Sequence, residues 1–330
     1  MESKKLTMND IAKMAGVGKS TVSRYFNGGY VKPETKEKIR LICEEYNYQP
    51  NQVAKMLKAK RTNMVGIITP TLTSNTSSRT ITVMDEYLQE RGFRTIIMNT
   101  NHSEQREQEA FAYLSELNVD GVVILATNTN YNVKELKKKY SFPILFMGQR
   151  VEGMPSVIYD DYLAGYYVGK KVTDYGHTDI ALIGVNESDH AVGYIRKKGI
   201  KDGLKEHGIV DYDYVEVDFE YETCFPIIDS YLRSHIPSAI ICSTDTMAIA
   251  CYNVLKNLGQ EIPKDVSLIG FGSYRYSNLL NPPLESIRFH NSQAGEICGQ
   301  LIIELIEGVK VNDCTVIRFE LIEGKSVRKI

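Results

Sequence analysis

The sequence predicts a small all-α segment at the amino-terminal end, followed by a much longer α/β core built on parallel sheets. Helix-starting and helix-stopping residues alternate closely up to about residue 50. From residue 64 onward, apolar runs of four to seven residues alternate with longer helical stretches. A length of 330 residues also exceeds what one small core accommodates, so two or three domains are expected.

The first helix is predicted over Met8–Ala15. Thr7 is suited to cap its amino end, and Asp10 stands three residues later, at the capping-box spacing with Asp in place of Glu. Two glycines in the segment 16–18 end the helix. Its apolar face is expected to comprise Ile11, Met14 and Ala15.

A second helix is predicted from Lys19 to Phe26, with the Asn-Gly-Gly segment 27–29 ending it. Pro33 suits the first turn of a third helix. The apolar side of that third helix is expected to include Ile39, Leu41, Ile42 and Tyr46.

Two short helices joined by a glycine-containing turn form a helix-turn-helix, whose second helix enters the major groove of DNA. Val22 is expected to pack inward, and the side chains that remain to face the DNA can all donate hydrogen bonds: Lys19, Ser20, Thr21, Ser23 and Arg24. The alternative is a plain three-helix bundle whose basic faces are solvated, and spacing alone does not separate the two.

The charge distribution favours the DNA-binding interpretation. Residues 1–61 contain 13 Lys and Arg against 6 Asp and Glu, a net charge of +7. Subtraction from the whole-chain totals leaves 26 basic and 35 acidic residues in 62–330, a net charge of −9. A basic segment on an acidic body is typical of nucleic-acid binding confined to that segment.

The sequence gives no support for several other classes of protein. No run of about 18 apolar residues predicts a membrane span, and the first residues do not resemble a signal peptide, so we expect a cytoplasmic protein. The six cysteines have no metal-ligand spacing, which predicts reduced core residues and no metal site. No GxSxG, HExxH or GxGxxG motif supports an enzyme, and no cofactor is predicted.

The long core is predicted from strand–helix alternation, which indicates parallel sheets with crossover helices. Ten strands are many for one sheet, so two subdomains are expected. The strand candidates are Met64–Thr69, Thr95–Asn99, Gly121–Ala126, Ile144–Met147, Val157–Tyr159, Ile180–Gly184, Tyr214–Asp218, Ala239–Cys242, Val266–Phe271 and Ile287–Phe289. The helices between them include Thr82–Arg91, Glu107–Leu117, Leu163–Tyr175, Arg196–His207, Thr246–Leu258 and Ala294–Ile306.

The segments DIAKMAGVGKSTVSRYFN, KPETKEKI, YNYQPN and VAKMLK resemble the head of the lactose-repressor (LacI/GalR) family of transcription factors, and the likeness extends over essentially the whole chain. It implies a hinge helix over 51–58 that forms on operator DNA. It also implies that Leu57, paired with the same residue of a second subunit, wedges into the minor groove. The DNA-binding residues expected on these grounds are Thr7, Lys19, Ser20, Thr21, Ser23, Arg24, Asn27, Tyr48, Asn51, Lys55, Leu57 and Lys58.

For the core, the resemblance implies a periplasmic-binding-protein-like fold with two lobes, which the chain connects three times, near Asp160, His290 and Glu320. The expected domains are a helix-turn-helix domain over 1–50, a hinge helix and linker over 51–62, and an effector-binding and dimerisation core over 63–330. Lobe 1 is expected to comprise about 63–159 and 291–319, and lobe 2 about 160–290 and 320–330.

Ligands bind beyond the carboxyl ends of strands in open α/β sheets, so polar residues after the strands are effector-site candidates. Many of them are equally suited to helix caps and turns; Asp245, for example, is a suitable N-cap. Asp161 follows the same strand as Asp160. The effector-binding candidates, which include Arg196 because of the family resemblance, are Thr71, Ser74, Asn75, Arg79, Gln149, Arg150, Asp160, Arg196, Thr244, Asp245, Ser273 and Tyr274.

One position departs from the family pattern. Many members carry Asp two residues after the Gly of the IGY/F turn, where it binds sugar hydroxyls, whereas this chain has Gly272. The segments VIYDDYLAG, GVNESDHAVGYIRKKG and CSTDTMA resemble most the sucrose and trehalose regulators of the family. This resemblance implies that the effector is a sugar or a sugar phosphate, since some effectors in that branch are phosphorylated. The hydroxyl-rich segment Thr73–Arg79, with Arg150 and Arg196, is a candidate phosphate site.

We therefore expect a homodimeric repressor of a sugar-utilisation operon, which binds double-stranded operator DNA and is released by a sugar or sugar phosphate of the sucrose or trehalose type. The alternatives are a transcriptional activator or a co-repressor-dependent regulator of the same family, and a cytoplasmic sugar-binding protein. None of these alternatives involves a membrane.

Overall fold

The computed structural model describes residues 6–26, 28–48, 61–127 and 129–330. The chain divides into two compact units, residues 1–62 and residues 63–330. The predicted hinge helix over 51–58 lies outside the described residues, as do the DNA-contact candidates Asn27, Asn51, Lys55, Leu57 and Lys58.

The first unit contains three helices, α1 (Met8–Ala15), α2 (Lys19–Phe26) and α3 (Pro33–Glu45). Thr7 and Asp10 form the predicted capping box, in which the Thr7 amide donates to the Asp10 carboxylate over 2.9 Å. Gly16 ends α1 with a left-handed φ of 67°, a backbone conformation that glycine adopts without steric penalty. The helix-turn-helix predicted from these residues is therefore present.

A small core joins these helices, with Ile11, Ala12, Ala15, Val22 and Ile39 buried at its centre. Three expectations about apolar faces are wrong: the side chains of Met14, Leu41 and Tyr46 are 40%, 52% and 46% exposed. Leu41 lies two positions from Ile39, a separation that places it on another side of the helix.

Lobe 1 of the second unit is a parallel sheet with the strand order β11-β5-β4-β3-β1-β2. Its strands are β1 (Met64–Thr69), β2 (Arg94–Asn99), β3 (Gly121–Leu125), β4 (Ile144–Met147), β5 (Ser156–Tyr159) and β11 (Cys314–Ile317). Its helices are α4 (Asn75–Glu90), α5 (Glu104–Glu116), α6 (Val133–Lys139) and α11 (Asn291–Ile306).

Lobe 2 is a second sheet with the order β12-β10-β9-β8-β6-β7, in which β12 runs antiparallel to β10 and the other pairs are parallel. Its strands are β6 (Ile180–Gly184), β7 (Asp213–Glu216), β8 (Ala239–Cys242), β9 (Ser267–Phe271), β10 (Glu285–Phe289) and β12 (Phe319–Ile322). Its helices are α7 (Asp161–Asp174), α8 (Lys197–Lys205), α9 (Tyr221–Ser234) and α10 (Asp245–Asn257), and a π-helical segment, His190–Arg196, precedes α8.

The apolar runs explain this architecture. Every residue of β3, β6, β8 and β9 is buried, as expected for strands that are covered on both faces. The chain passes between the lobes after Tyr159, after Phe289 and at Arg318. The third passage lies two residues before the expected Glu320, because Phe319 already belongs to β12 of lobe 2. Across the described residues, no helix is both long enough and apolar enough to cross a membrane.

Candidate functional site

The second helix of the first unit presents the predicted DNA-contact residues. Lys19, Ser20 and Arg24 are exposed, while Thr21 and Ser23 are half-buried. Val22, which is fully buried, anchors the helix from its opposite side, as the sequence predicted. This arrangement leaves a basic, hydroxyl-rich face available to base edges and phosphates.

Two other DNA-contact candidates have structural partners within the first unit. The Thr7 hydroxyl donates to Asp10 over 2.7 Å as part of the helix cap. The Tyr48 ring is half-buried and packs on Phe26, with ring centroids 5.9 Å apart. Both residues therefore stabilise the helices, whatever further contact they make with DNA.

A cavity of about 430 Å³ lies between the two lobes of the second unit. From lobe 1 it is lined by residues that directly follow β1, β3 and β4, such as Thr71, Thr127 and Gln149. From lobe 2 it is lined by Thr244 and Tyr274, which follow β8 and β9. Its position beyond the carboxyl ends of the strands is where ligands bind in open α/β sheets.

Arg196 is the charged centre of this cavity, and its side chain is only 7% exposed. Its Nε and Nη2 donate to Oδ1 of Asp161 over 2.9 and 2.5 Å, and its Nη1 donates to the Ser243 carbonyl over 2.5 Å. The guanidinium carbon also lies 4.8 Å and 5.1 Å from the ring centroids of Phe271 and Phe289. The side chain is thus held in one orientation by an ion pair and two aromatic faces.

Two opposing effects act on the pKa of the Asp161 carboxylate. Burial raises its pKa above the usual value, and the neighbouring Arg196 charge and hydrogen bonds partly offset that rise. Burial of a carboxylate disfavours its charged form, whereas a neighbouring guanidinium favours it.

Close packing of α7 against α8 and the π-helical segment before it holds Asp161 and Arg196 together. Gly165 of α7 faces the Arg196 carbonyl so closely that a Cβ at this position would lie 2.3 Å from the oxygen. Gly199 of α8 meets the Tyr162 carbonyl in the same way, at 2.1 Å. Only glycine allows this approach, which brings the first turn of α7, with Asp161, against the end of the π-helical segment, with Arg196.

Seven of the twelve predicted effector-binding residues line the cavity, and these are Thr71, Ser74, Asn75, Gln149, Arg196, Thr244 and Tyr274. The structure does not bring the other five to it, although all five are described: Arg79, Arg150, Asp160, Asp245 and Ser273.

Each of these five has another position in the fold. Asp160 caps α7, accepting a hydrogen bond from the Leu163 amide over 3.3 Å, and its neighbour Asp161 faces the cavity instead. Arg150 is exposed, while Arg79 and Ser273 line a different cavity. Since α-helical caps and cavity ligands look alike in sequence, position after a strand could not separate them.

Asp245 is fully buried and positions the loop that carries Tyr274. Its Oδ2 accepts hydrogen bonds from the Tyr274 amide over 2.8 Å and the Ser277 hydroxyl over 2.5 Å, and its Oδ1 accepts from the Ser286 hydroxyl over 2.6 Å. Burial raises its pKa, and these donors offset part of that rise. The helix cap expected of Asp245 is supplied by Thr244, whose hydroxyl accepts from the Met247 amide.

The surroundings of Gly272 give a physical reason why this chain has glycine where many family members have aspartate. It lines the cavity with φ of 132°, and a Cβ built on it would lie 2.4 Å from Cε1 of the Tyr274 ring. The aromatic ring therefore occupies the space into which a side chain at 272 would extend. Burial raises the pKa of the Tyr274 phenol to about 12, so it stays a neutral hydrogen-bonding group.

Several lining residues were not expected from the sequence. These are chiefly the aromatic rings of Tyr159, Phe271 and Phe289 and the carboxylates of Asp189 and Glu220. The rings lie at the last positions of predicted strands, and this position is the one sequence feature that could have identified them as cavity residues. Glu220 precedes α9, far along the chain from the lobe-1 residues it faces, and no local pattern identified it.

Two hydrogen bonds between side chains of described residues join the lobes across the cavity. The Thr73 hydroxyl donates to Glu220 over 3.2 Å, and Thr76 hydrogen bonds to the Tyr274 phenol. In each pair lobe 1 contributes the threonine and lobe 2 its partner. A ligand that changes the spacing of the lobes must alter these contacts.

Among the described residues that line this cavity, carboxylates outnumber guanidinium groups. Its described lining includes the carboxylates of Asp161, Asp189, Glu220 and Glu222 and the guanidinium of Arg196, which is paired with Asp161. The Gln149 side chain is 4% exposed, and its Oε1 has no hydrogen-bond partner among the described residues. A buried acceptor of this kind is costly unless a donor reaches it, which points to a hydroxyl-bearing ligand.

Known proteins show the same two-part organisation. Residues 7–51 match the family of "Bacterial regulatory proteins, lacI family", and residues 62–325 match "Periplasmic binding proteins and sugar binding domain of LacI family". The helix-turn-helix and the two-lobed core therefore define a DNA-binding regulatory protein. The chain belongs to the LacI family, as its resemblance predicted.

Individual relatives cover nearly the whole chain. The sucrose operon repressor of Staphylococcus xylosus is 33% identical over 301 residues, which is 90% of this chain and 93% of that protein. The ribose operon repressor of Haemophilus influenzae is 28% identical, over 94% of this chain and 95% of its own length. The crystal structure of the lac repressor dimer bound to operator and the anti-inducer ONPF has the same fold, with a TM-score of 0.89 at 22% identity over 98% of this chain and all of that one.

Proposed function

We propose that this regulator represses a sugar-utilisation operon and that an uncharged sugar of the sucrose type, bound between the lobes, releases it from operator DNA. The observation that carries the ligand class is the composition of the cavity. It combines aromatic faces, hydroxyl groups and carboxylates with the Oε1 of Gln149, to which no described residue donates a hydrogen bond. Such a lining suits a ligand that has many hydroxyl donors and apolar C–H faces.

The charge of the cavity favours the free sugar over its phosphate. Arg79 and Arg150, which were candidates for holding a phosphate, do not line it. Arg196 is paired with Asp161, and the carboxylates of Asp189, Glu220 and Glu222 remain. A phosphate group carries a charge of about −1.5 to −2. In this cavity the carboxylates would repel it, and the repulsion is stronger than in water because the dielectric constant is lower.

The similarity to the sucrose operon repressor of Staphylococcus xylosus supports a disaccharide of that type. The cavity volume of about 430 Å³ is within the range of small-molecule sites, which is roughly 300–1,000 Å³. Trehalose and monosaccharides are the alternatives that the same lining would accommodate.

On the DNA side, we propose a cytoplasmic homodimer that reads a near-palindromic operator with one α2 from each subunit. The face formed by Lys19, Ser20 and Arg24 supports this role. The hinge helix over 51–58, the Leu57 wedge and the domain limits at residues 50 and 62 are parts of the same proposal, which rests here on sequence resemblance. Effector binding releases DNA because it favours a lobe arrangement in which the paired hinges do not form.

The test is fluorescence anisotropy with labelled pseudo-palindromic DNA from upstream of the gene and its neighbours. Sucrose, trehalose, their 6-phosphates and fructose are titrated into the preformed complex at fixed salt, because phosphate contacts make affinity steeply salt-dependent. Release by a free disaccharide supports the proposal. Release by a 6-phosphate alone would overturn the uncharged ligand class, and absence of specific DNA binding would overturn the repressor function itself.

Two variants separate the DNA and effector roles. Leu57→Ala should weaken specific operator binding and leave effector affinity unchanged, since the wedge contacts DNA only. Arg196→Ala should retain operator binding and lose release by the effector. Equal operator affinity of Leu57→Ala and the parent would remove the wedge from the mechanism. Normal effector-dependent release of DNA by Arg196→Ala would show that Arg196 does not bind the effector.

A further inference from the structure

A second cavity, of about 600 Å³, lies where the chain passes from lobe 2 to lobe 1 after β10. Phe289 and Gly272 line both this cavity and the effector cavity, so the two share a wall. The second cavity differs sharply in composition, since it is lined by Arg79, Arg288 and His290. No part of the proposed repressor function uses it.

Its two arginines come from different lobes. Arg79 lies on α4 of lobe 1, and its Nε donates to the Ser292 hydroxyl over 3.1 Å. Within the described part of the chain, neither terminal nitrogen of Arg79 has a hydrogen-bond partner. Arg288 lies on β10 of lobe 2, where it donates to Glu320 over 3.1 Å and to the Ser273 hydroxyl over 3.3 Å. Donors from both lobes therefore meet at one cavity.

The backbone adds further donors at the same place. The helix α11 begins at Asn291, and its N-cap, His290, makes no side-chain capping hydrogen bond. The residues of its first turn, Ser292 and Gln293, line the cavity. Amides at a helix start that lack a cap favour a negative group, and the first-turn residues Ser292 and Gln293 line the same cavity as Arg79 and Arg288.

We propose that this cavity is a separate oxyanion site, which binds a phosphate group between Arg79 of lobe 1 and Arg288 of lobe 2. Arginine forks and serine hydroxyls are the donors that proteins use for phosphate. Two carboxylates oppose the anion: Glu296 lines the cavity and Glu320 is paired with Arg288. The ligand is therefore expected to compete with Glu320 for the Arg288 guanidinium.

Isothermal titration calorimetry on the full-length protein tests the site, with inorganic phosphate and methyl phosphate as probes at constant ionic strength. Arg79→Gln and Arg288→Gln should each weaken binding by at least about tenfold, since a hydrogen bond to a charged group contributes that much. Arg150→Gln is the matched control, because Arg150 is exposed and lines neither cavity. Tighter binding of methyl phosphate would identify a phosphate monoester as the ligand, and tighter binding of inorganic phosphate would identify the free ion.

A further variant distinguishes a binding role from a structural one. Glu320→Gln removes the carboxylate that competes for Arg288, so it should tighten phosphate binding although it breaks the same ion pair as Arg288→Gln. The proposal is overturned if neither probe binds at millimolar concentration. It is equally overturned if the Arg79, Arg288 and Arg150 variants bind alike, or if Glu320→Gln weakens binding as much as Arg288→Gln does.

Discussion

The buried pair of Asp161 and Arg196 supports a quantitative prediction about stability. Asp161→Asn keeps the shape of the side chain but leaves a guanidinium, 7% exposed, without its counter-charge. Breaking a buried ion pair from one side costs about 3–5 kcal/mol of unfolding free energy, because an uncompensated charge stays buried. With a urea dependence of about 3 kcal/mol per M, the unfolding midpoint should fall by about 1 M or more.

The double variant Asp161→Asn with Arg196→Met completes the cycle. Removing both charges should cost less than either single change, since no unpaired ion then remains in the core. Urea unfolding of the four proteins, followed by circular dichroism, measures these differences. Asp211→Asn is the control, because Asp211 is exposed. If Asp161→Asn shifts the midpoint no more than that control does, or if the two single effects simply add, the ion pair does not stabilise the core as argued.

Four further predictions follow from named contacts. Gly165→Ala should displace the Arg196 carbonyl, which lies 2.3 Å from the added Cβ position, and should abolish sugar-dependent release of DNA while operator binding persists in anisotropy. Gln149→Met should weaken sugar binding in calorimetry by about tenfold, because the ligand hydroxyl loses its acceptor; unchanged affinity would exclude that contact. Thr7→Ala should cost about 1 kcal/mol of helix stability, seen as faster amide exchange in the first turn of α1. Burial holds the pKa of His177 below its usual value. The unfolded chain therefore takes up a proton first as the pH falls below about 6.5, and the unfolding free energy should decline by up to about 1.4 kcal/mol per pH unit, a slope that His177→Gln should reduce.

The helices of the first unit were largely predictable because their signals are local. The bounds of α1 and α2 follow from Thr7 and from the glycine pairs at 16–18 and 28–29, all within a few residues of the helix ends. Which side chains are buried was less predictable. Met14 and Leu41 are apolar but exposed, because burial depends on where the neighbouring helix lies and not on residue type.

In the core, the fully buried strands were predictable, and so were the edge strands β2 and β7, whereas the edge strands β11 and β12 were not. GVVIL, IALIG and AIIC are continuous apolar runs, and each forms a strand in the middle of a sheet. By contrast, β11 and β12 were not among the expected strands. They lie at sheet edges, are partly exposed and mix polar with apolar residues, so their sequence resembles that of a loop.

The two-part architecture, the helix-turn-helix and the family could be predicted from the sequence. So could four residues on the lobe-1 side of the effector cavity, Thr71, Ser74, Asn75 and Gln149. The sequence did not show which of two adjacent aspartates, 160 or 161, contacts Arg196, or which arginines lie outside the effector cavity. The reason is physical: helix and strand signals act over a few residues, whereas Asp161 and Arg196 are 35 residues apart and meet because glycines let two helices touch. The packing of these helices sets the direction in which a side chain at a strand end points, and no local sequence pattern encodes that direction.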